Sequence, residues 1–329
     1  MSNVERDPAE IECESGAPTG EVLTPREVPL GGPRAMTVRR TLPQRQRTLI
    51  GAWCFVDHYG PDDVAETGGM VVAPHPHIGL QTVSWLFEGA VTHRDSAGNH
   101  ALVVPGELNL MTAGRGISHS EVSTPDTATL HGAQLWVALP ADRRDVEPDF
   151  AHYAPPELGE PGWTAKVFLG SLFGSESPVA TATPLLGAEL RLEEGHVLEV
   201  PVERGFEHGL LVDQGVVSVG DVEGKPGDLV YVPPGPARLT VSAHEEARVL
   251  LLGGPPFGEQ IVMWWNFVGR DHDEVVRARE DWMAQITGID GTFEDSSEIF
   301  DGRFGVVVDD HLPPIPAPSL PNAKLKPRP

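Results

Sequence analysis

Two short stretches hold the residues best suited to chemistry: PHPHIGLQ, residues 74–81, and GRGISHSEVS, residues 114–123. In a β-strand, residues i and i+2 project to the same face, so His75 and His77 aim two imidazoles at one spot. His119 and Glu121 repeat that geometry with an imidazole and a carboxylate. If the intervening chain returns the second stretch beside the first, three neutral nitrogens and one anionic oxygen converge. Such a donor set suits one divalent ion: iron, manganese, nickel, copper or zinc. A lone His-x-His in a loop would carry little weight, and it is the His-x-Glu at a return distance, bracketed by glycines, that makes the pattern specific. His58, His93, His100, His131 and His152 have no equally good pairing and read as surface or supporting groups. His93 and His100 flank the polar turn RDSAGN, which reads as a lid over the metal mouth.

Strands must carry these residues, and the sequence is rich in them. Short apolar runs such as LQTVSWLF, LNLMTA, AQLWVAL, DLVYVP and ARVLLLGG recur between turn signals, with 36 Gly and 32 Pro in 329 residues supplying the turns. The expected class is all-β, a sandwich or barrel, and the length allows two domains. Near the C-terminus IVMWWNFV (Ile261–Val268) reads as one strand. The following segment places Val275, Val276, Arg279, Trp282, Met283 and Ile286 at helical spacing. Asp271 or Asp273 would cap that helix and Gly288 would stop it. The acidic residues 1–20 read as a flexible lead-in, APPELGEPGW (154–163) as a linker, and the proline-rich segment 311–329 as an extended or disordered tail.

Charge and cysteine content narrow the class. With 48 acidic against 24 basic residues the formal net charge is −24. That surface repels phosphate backbones and anionic lipid, so no direct nucleic-acid or membrane partner is expected. Cys13 and Cys54 form no metal-type cluster and no expected disulfide. The acidic N-terminus lacks the apolar core of a signal peptide, and no run is long enough to span a membrane, so a soluble cytoplasmic protein is expected.

The motifs resemble the cupin signatures. Gly69, His75 and His77 match the first signature, with Gln81 where many cupins carry a metal-binding Glu. GELNLMTAGRGISH from Gly106 matches the second, with Thr112 in place of proline and two additional residues before His119. Replacement of the early carboxylate by Glu121, together with FVDHYGP, THRDSAGN, MTAGRGISHSE and AQLWVALP, resembles the pirin family in particular. In the second half GDLVYVPPGPAR (227–238) fits the cupin loop with Arg238 at the histidine position. The other ligand slots there fall on Val202, Arg204 and His208.

The resemblance implies two tandem cupin (double-stranded β-helix, jelly-roll) barrels with a C-terminal helix. It divides the chain into a metal-bearing barrel over 21–153, a degenerate barrel over 164–256, and a closing strand and helix over 257–310. It implies one metal ion, Fe(II) foremost, held by His75, His77, His119 and Glu121, with Glu121 also the proton acceptor. The implied reaction is that of a quercetin 2,3-dioxygenase, opening a flavonol-type enol with dioxygen and loss of carbon monoxide. Arg115 and Gln134 are candidates to steer substrate or brace a ligand, and Trp85, Phe87 and Leu110 to line the pocket. The alternative is a non-enzymatic, metal- and redox-responsive regulator acting through protein partners. A third is a silent metal-storing or vestigial cupin.

Overall fold

The computed structural model describes residues 20–30, 36–286 and 302–328. The expected positions Cys13 and Gly288 lie outside them. Two barrels of the same plan account for most of the chain, each closing a seven-stranded antiparallel sheet against a four-stranded one. In the first, the large sheet runs in spatial order Asp149–Tyr153, Leu108–Thr112, Leu80–Glu88, Thr129–Ala138, Trp53–Asp63, Met36–Leu42 and Arg26–Leu30. Its small sheet runs Val71–His77, Ile117–Ser123, Val91–Asp95 and His100–Val103. The second barrel repeats this, with Leu229–Val232, Glu207–Gln214, Ala247–Gly254, Leu186–Leu192 and Trp163–Leu169 central to its large sheet.

The edges of the second large sheet depart from a strictly sequential division. Glu21–Leu23, from the start of the described chain, pairs with Leu229–Val232, and Glu157–Glu160, inside the segment read as a linker, pairs with Trp163–Leu169. Both cover edges that would otherwise expose unpaired backbone groups.

Period-two alternation explains how the barrels meet. Along Leu80–Glu88, residues Val83, Trp85 and Phe87 join a cluster that also contains Phe168, Leu211, Leu250 and Leu252 of the second barrel. Ser84 faces the opposite way, into the first barrel, where it reaches Glu121. Trp85, Phe87 and Leu110 therefore weld the barrels together and do not line the metal pocket. Trp85 stacks on Phe168 at 4.5 Å and donates its Nε1–H to Glu189 Oε2 at 2.7 Å. The interiors differ in kind. That of the second barrel is aliphatic, with Val167, Leu190, Leu210, Val212, Val230 and Val249 all fully buried, whereas the first gives its centre to histidines.

The C-terminal segment IVMWWNFV is a hairpin rather than one strand. Val262–Trp264 pairs with Phe267–Gly269, and Trp265 turns the chain with φ of 52°. Aromatic and β-branched content signals extended chain but carries no information about a two-residue reversal. The helix His272–Ile286 follows, capped by Asp271, whose Oδ1 accepts from the Glu274 N–H at 2.8 Å. Its Val275, Ala278 and Trp282 pack on Ile78, Phe267 and Phe304. The proline-rich tail is ordered on this unit, with Trp282 Nε1–H donating to the Ile315 carbonyl at 2.8 Å and Ile315 N–H to Pro74 O at 2.8 Å. Among the described residues no helix is long and apolar enough to cross a membrane.

Candidate metal centre

Val71–His77 is the edge strand of the small sheet, which is why it tolerates two prolines: an edge residue can do without its N–H. It pairs with Ile117–Ser123 so that His75 lies opposite His119, and the register then slips, bringing Glu121 opposite Val72. The extra residue in the slip falls at Ala73–Pro74, a bulge of the kind that re-aims neighbouring side chains. On its other flank Glu121 lies opposite His93. At the end of the His-x-His strand, Gly79 turns with φ of 66°, and a Cβ there would lie 2.1 Å from the Val268 carbonyl oxygen. Glycine thus lets the C-terminal hairpin approach the histidines.

The three imidazoles converge. Nε2 of His77 lies 3.0 Å from Nε2 of His119, and the ring of His75 is centred 4.3 Å from that of His119 and 5.0 Å from that of His77. All three are fully buried. Two have their tautomers set by backbone carbonyls: His75 Nδ1 is 2.9 Å from Ala73 O, and His77 Nδ1 is 3.1 Å from Asn266 O. A carbonyl only accepts, so each Nδ1 carries the proton and each Nε2 presents its lone pair. Nε2 of His75 is buried without a hydrogen-bond partner. An orphaned acceptor beside two converging acceptors is costly unless something positive sits among them. Burial, reinforced for His75 and His119 by neighbouring imidazoles, holds all three pKa values well below the usual histidine range, so they stay neutral donors.

Glu121 stands beside this trio, its carboxylate grouped with His119 and His93. Ser84 Oγ lies 3.2 Å from Glu121 Oε1 and 2.9 Å from Gln134 Oε1, so its single proton bridges the two acceptors. Gln134 is accordingly buried close to the centre, reaching it through Ser84. Arg115 is not there: its side chain is exposed and paired with Glu147 at 2.8 Å. The turn around Gly114 directs it outward, since that residue has φ of 51° and packs against the Val146 carbonyl. Gln81 is also displaced from the histidines, donating to Thr112 Oγ1 at 2.9 Å. Alternation explains this, because Gln81 shares its face with Val83 and Trp85 while Thr82 and Ser84 face inward.

His93 is the functional neighbour that spacing alone hid. It is 3 % exposed, and its Nδ1 lies 3.4 Å from Nδ1 of His119 while its Nε2 lies 3.3 Å from Asp95 Oδ2. If His119 uses Nε2 toward an ion, its Nδ1–H donates to His93, and His93 in turn donates to Asp95, a carboxylate-backed chain that fixes the ring. Asp95 also accepts from the backbone of Ala97 and Asn99, so the RDSAGN turn is pinned rather than free to act as a lid. His100 at its far side is exposed. The signal for His93 was present in THRD, whose His-x-Asp alternation points both groups the same way. Replacing His93 by Phe is expected to weaken metal binding about 10–100-fold in competition with a chelating dye. Unchanged affinity would show that His119 needs no such brace.

Known proteins show which family the chain belongs to. A family model described as Pirin matches residues 35–137, and one described as Pirin C-terminal cupin domain matches residues 187–287. A "Pirin-like protein" of Caulobacter vibrioides is 37% identical over 75% of this chain and 88% of its own length. The chain belongs to the pirin family. A Pseudomonas aeruginosa protein provisionally named a quercetin 2,3-dioxygenase is 43% identical, over 91% of this chain and 90% of its own. Among solved structures, a quercetin 2,3-dioxygenase from Acinetobacter baumannii superposes with a TM-score of 0.82 at 38% identity, covering 92% of this chain and 96% of that one. The pirin architecture is therefore shared along nearly the whole chain, as a bicupin.

A second buried cluster in this pirin also has ligand-like atoms: His58 and His131 of the first barrel, and Asp213 of the second. Nε2 of each histidine lies 2.6 Å from Asp213 Oδ1. Here, however, the outer nitrogens face cations. Arg39 reaches Nδ1 of His58 at 3.1 Å, Arg248 reaches Nδ1 of His131 at 3.4 Å, and Arg248 Nε also donates to Asp213 Oδ2 at 2.5 Å. Guanidinium donors on Nδ1 leave the proton on Nε2, which in His58 donates to Asp213 while in His131 it lies close to the same oxygen without hydrogen-bond geometry, so no lone pair is offered to an ion. The cluster is an inter-barrel clamp.

That clamp gives stability a pH dependence. Burial pushes His58 below its ordinary 6.5, outweighing the hydrogen bond it donates to Asp213. Burial would raise Asp213, but hydrogen bonds from His131 and His58 hold it well below the usual carboxylate range. Both folded pKa values are depressed, so each contribution is present above the unfolded pKa and is lost as pH falls toward the folded one. Urea midpoints of metal-free protein are expected to drop as pH falls below about 6.5, with His75, His77 and His119 contributing beside the clamp and His58→Asn removing the clamp's share. An equally steep slope in His58→Asn would contradict the assignment.

Proposed function

We propose that this chain is a dioxygenase of the quercetin 2,3-dioxygenase type, opening a flavonol-like enol at one divalent metal held by His75, His77, His119 and Glu121. The observation that carries the reading is the convergence of three neutral, buried imidazoles, one with an orphaned Nε2, beside a buried carboxylate. The names of the similar Pseudomonas and Acinetobacter proteins supply the reaction class. Three nitrogens and one oxygen fit Fe(II), our choice, and also manganese, nickel, copper or zinc. When bound, the metal would supply the redox and dioxygen chemistry that no side chain can.

The chain's own groups have separable tasks. Ala73 O and Asn266 O hold the ligand tautomers of His75 and His77, while His93 and Asp95 hold that of His119. Glu121 is placed to take the proton of the substrate's enolic hydroxyl, and Ser84 Oγ–H, donating to Oε1, steadies the charged form. Trp136, its ring centre 5.1 Å from that of His77, and Phe150, its ring centre 4.9 Å from that of His93, give apolar walls that exclude water and suit a flat aromatic substrate.

Protein loaded anaerobically with Fe(II) and mixed with quercetin in air should consume dioxygen and release carbon monoxide. Absence of turnover with every one of iron, manganese, nickel and copper would overturn the enzymatic reading.

A further inference from the structure

The first barrel's site leaves one buried histidine unexplained, in the second barrel. His208 is fully buried, and neither ring nitrogen has a hydrogen-bond partner. It shares the inward face of Glu207–Gln214 with Leu210 and Val212, both in the aliphatic interior. In register it lies between Val232 and Gly253, and Gly253 in turn lies opposite Leu186. A Cβ built on Gly253 would lie 3.0 Å from His208 Cδ2, so this glycine keeps the space that the imidazole occupies.

Of that row, Leu186 lines a cleft of about 1150 Å³ at the mouth of the barrel, within reach of the size of small-molecule sites, and His208 lies behind it. Leu172, Leu186, Val202 and Phe206 give it apolar walls. Phe206 lines the cleft and is half-buried, and its ring centre lies 6.2 Å from that of His208, so the imidazole stands one ring behind the cleft wall. The cleft is lined by Glu176 and Glu203 and by no Lys or Arg, which disfavours an anion. Burial pushes the His208 pKa down to about 4, so the ring is neutral near pH 7, with one N–H to give and one lone pair to fill.

We propose that the mouth of the second barrel binds a small uncharged aromatic alcohol of the phenol class, its hydroxyl hydrogen-bonded to His208 and its ring among Leu172, Leu186, Val202 and Phe206. A hydroxyl both donates and accepts, so it can satisfy a neutral imidazole that apolar walls otherwise strand. A ligand of this kind accounts for a buried polar side chain that the aliphatic packing around it cannot satisfy.

The test uses the intact, metal-loaded protein, with p-cresol as probe and toluene as its hydroxyl-free counterpart. Calorimetric titration should show p-cresol binding at least about tenfold tighter than toluene, with His208→Leu removing the difference. Val202→Trp, at a partly buried position that lines the cleft, should weaken p-cresol at least about tenfold even if His208→Leu fails to fold. A soaked crystal should place the cresol oxygen within hydrogen-bond distance of His208. Equal affinity for the two probes, p-cresol density only elsewhere, or a lone ordered water on the imidazole would each overturn the proposal. None of these readouts requires turnover at the metal centre.

Discussion

Replacing His77 by alanine is expected to empty the metal centre. Its Nε2 sits 3.0 Å from that of His119, and its Nδ1 is held by the carbonyl of Asn266, so the ring is committed in position and tautomer before any ion arrives. Loss of one of four preorganised donors should reduce bound metal from near one equivalent to about a tenth or less after dialysis, by elemental analysis. Flavonol turnover should fall by roughly a thousandfold or more, since the redox chemistry resides in the ion. Gln81→Ala is the control, because Gln81 faces the second barrel and should leave metal content unchanged. A full equivalent of metal in the His77 variant would mean that the ligand set is wrong. So would its loss on changing Gln81.

The largest stability effect is expected from Asp213→Ala. The carboxylate is buried between the barrels and serves three partners, His58 and His131 through Oδ1 and Arg248 through Oδ2. Its removal strands a guanidinium that is only 15% exposed, together with two imidazoles that have lost their acceptor. Removing one partner of a buried pair costs about 3–5 kcal/mol, because the remaining charge stays out of water without compensation. Urea midpoints should fall accordingly while metal content is unchanged, since the clamp supplies no ligand to the ion. A loss below about 1 kcal/mol would place the clamp with surface ion pairs. Asp213→Asn, which keeps an acceptor, should recover part of the loss.

The two variants probe different consequences of one duplication. Both barrels use the same sheets in the same order, yet one fills its interior with Leu and Val and the other sets histidines among its apolar residues. At the second barrel's ligand slots, Arg204 and Arg238 are exposed and Val202 lines the cleft, so only His208 remains inside. An aliphatic interior packs at full density and needs no ion to satisfy it. The first barrel's buried acceptors do need something, and that contrast is why the proposed metal chemistry is assigned to one half of the chain.

Much of this was legible before folding. His75, His77, His119 and Glu121 declare themselves by i, i+2 spacing, because a strand's alternation is a local property that one sequence states completely. The all-β class and a C-terminal helix capped at Asp271 or Asp273 follow from the same kind of local pattern, and the duplicated plan follows from the resemblance of two stretches to the cupin signatures. What spacing could not say is which face of each strand looks inward, and that turned Gln81, Trp85, Phe87 and Leu110 toward the second barrel, and Arg115 to solvent. Nor could it show that Asn266, far along the chain, sets the tautomer of His77, or that His93 backs His119. It likewise gave no sign that Asp213 of one barrel clamps two histidines of the other. Those facts depend on register and on the packing of remote segments, where a one-residue slip reverses every side chain. The sequence by itself determined which donor groups are available, and the tertiary structure decided which of them meet, in which tautomer, and out of reach of water.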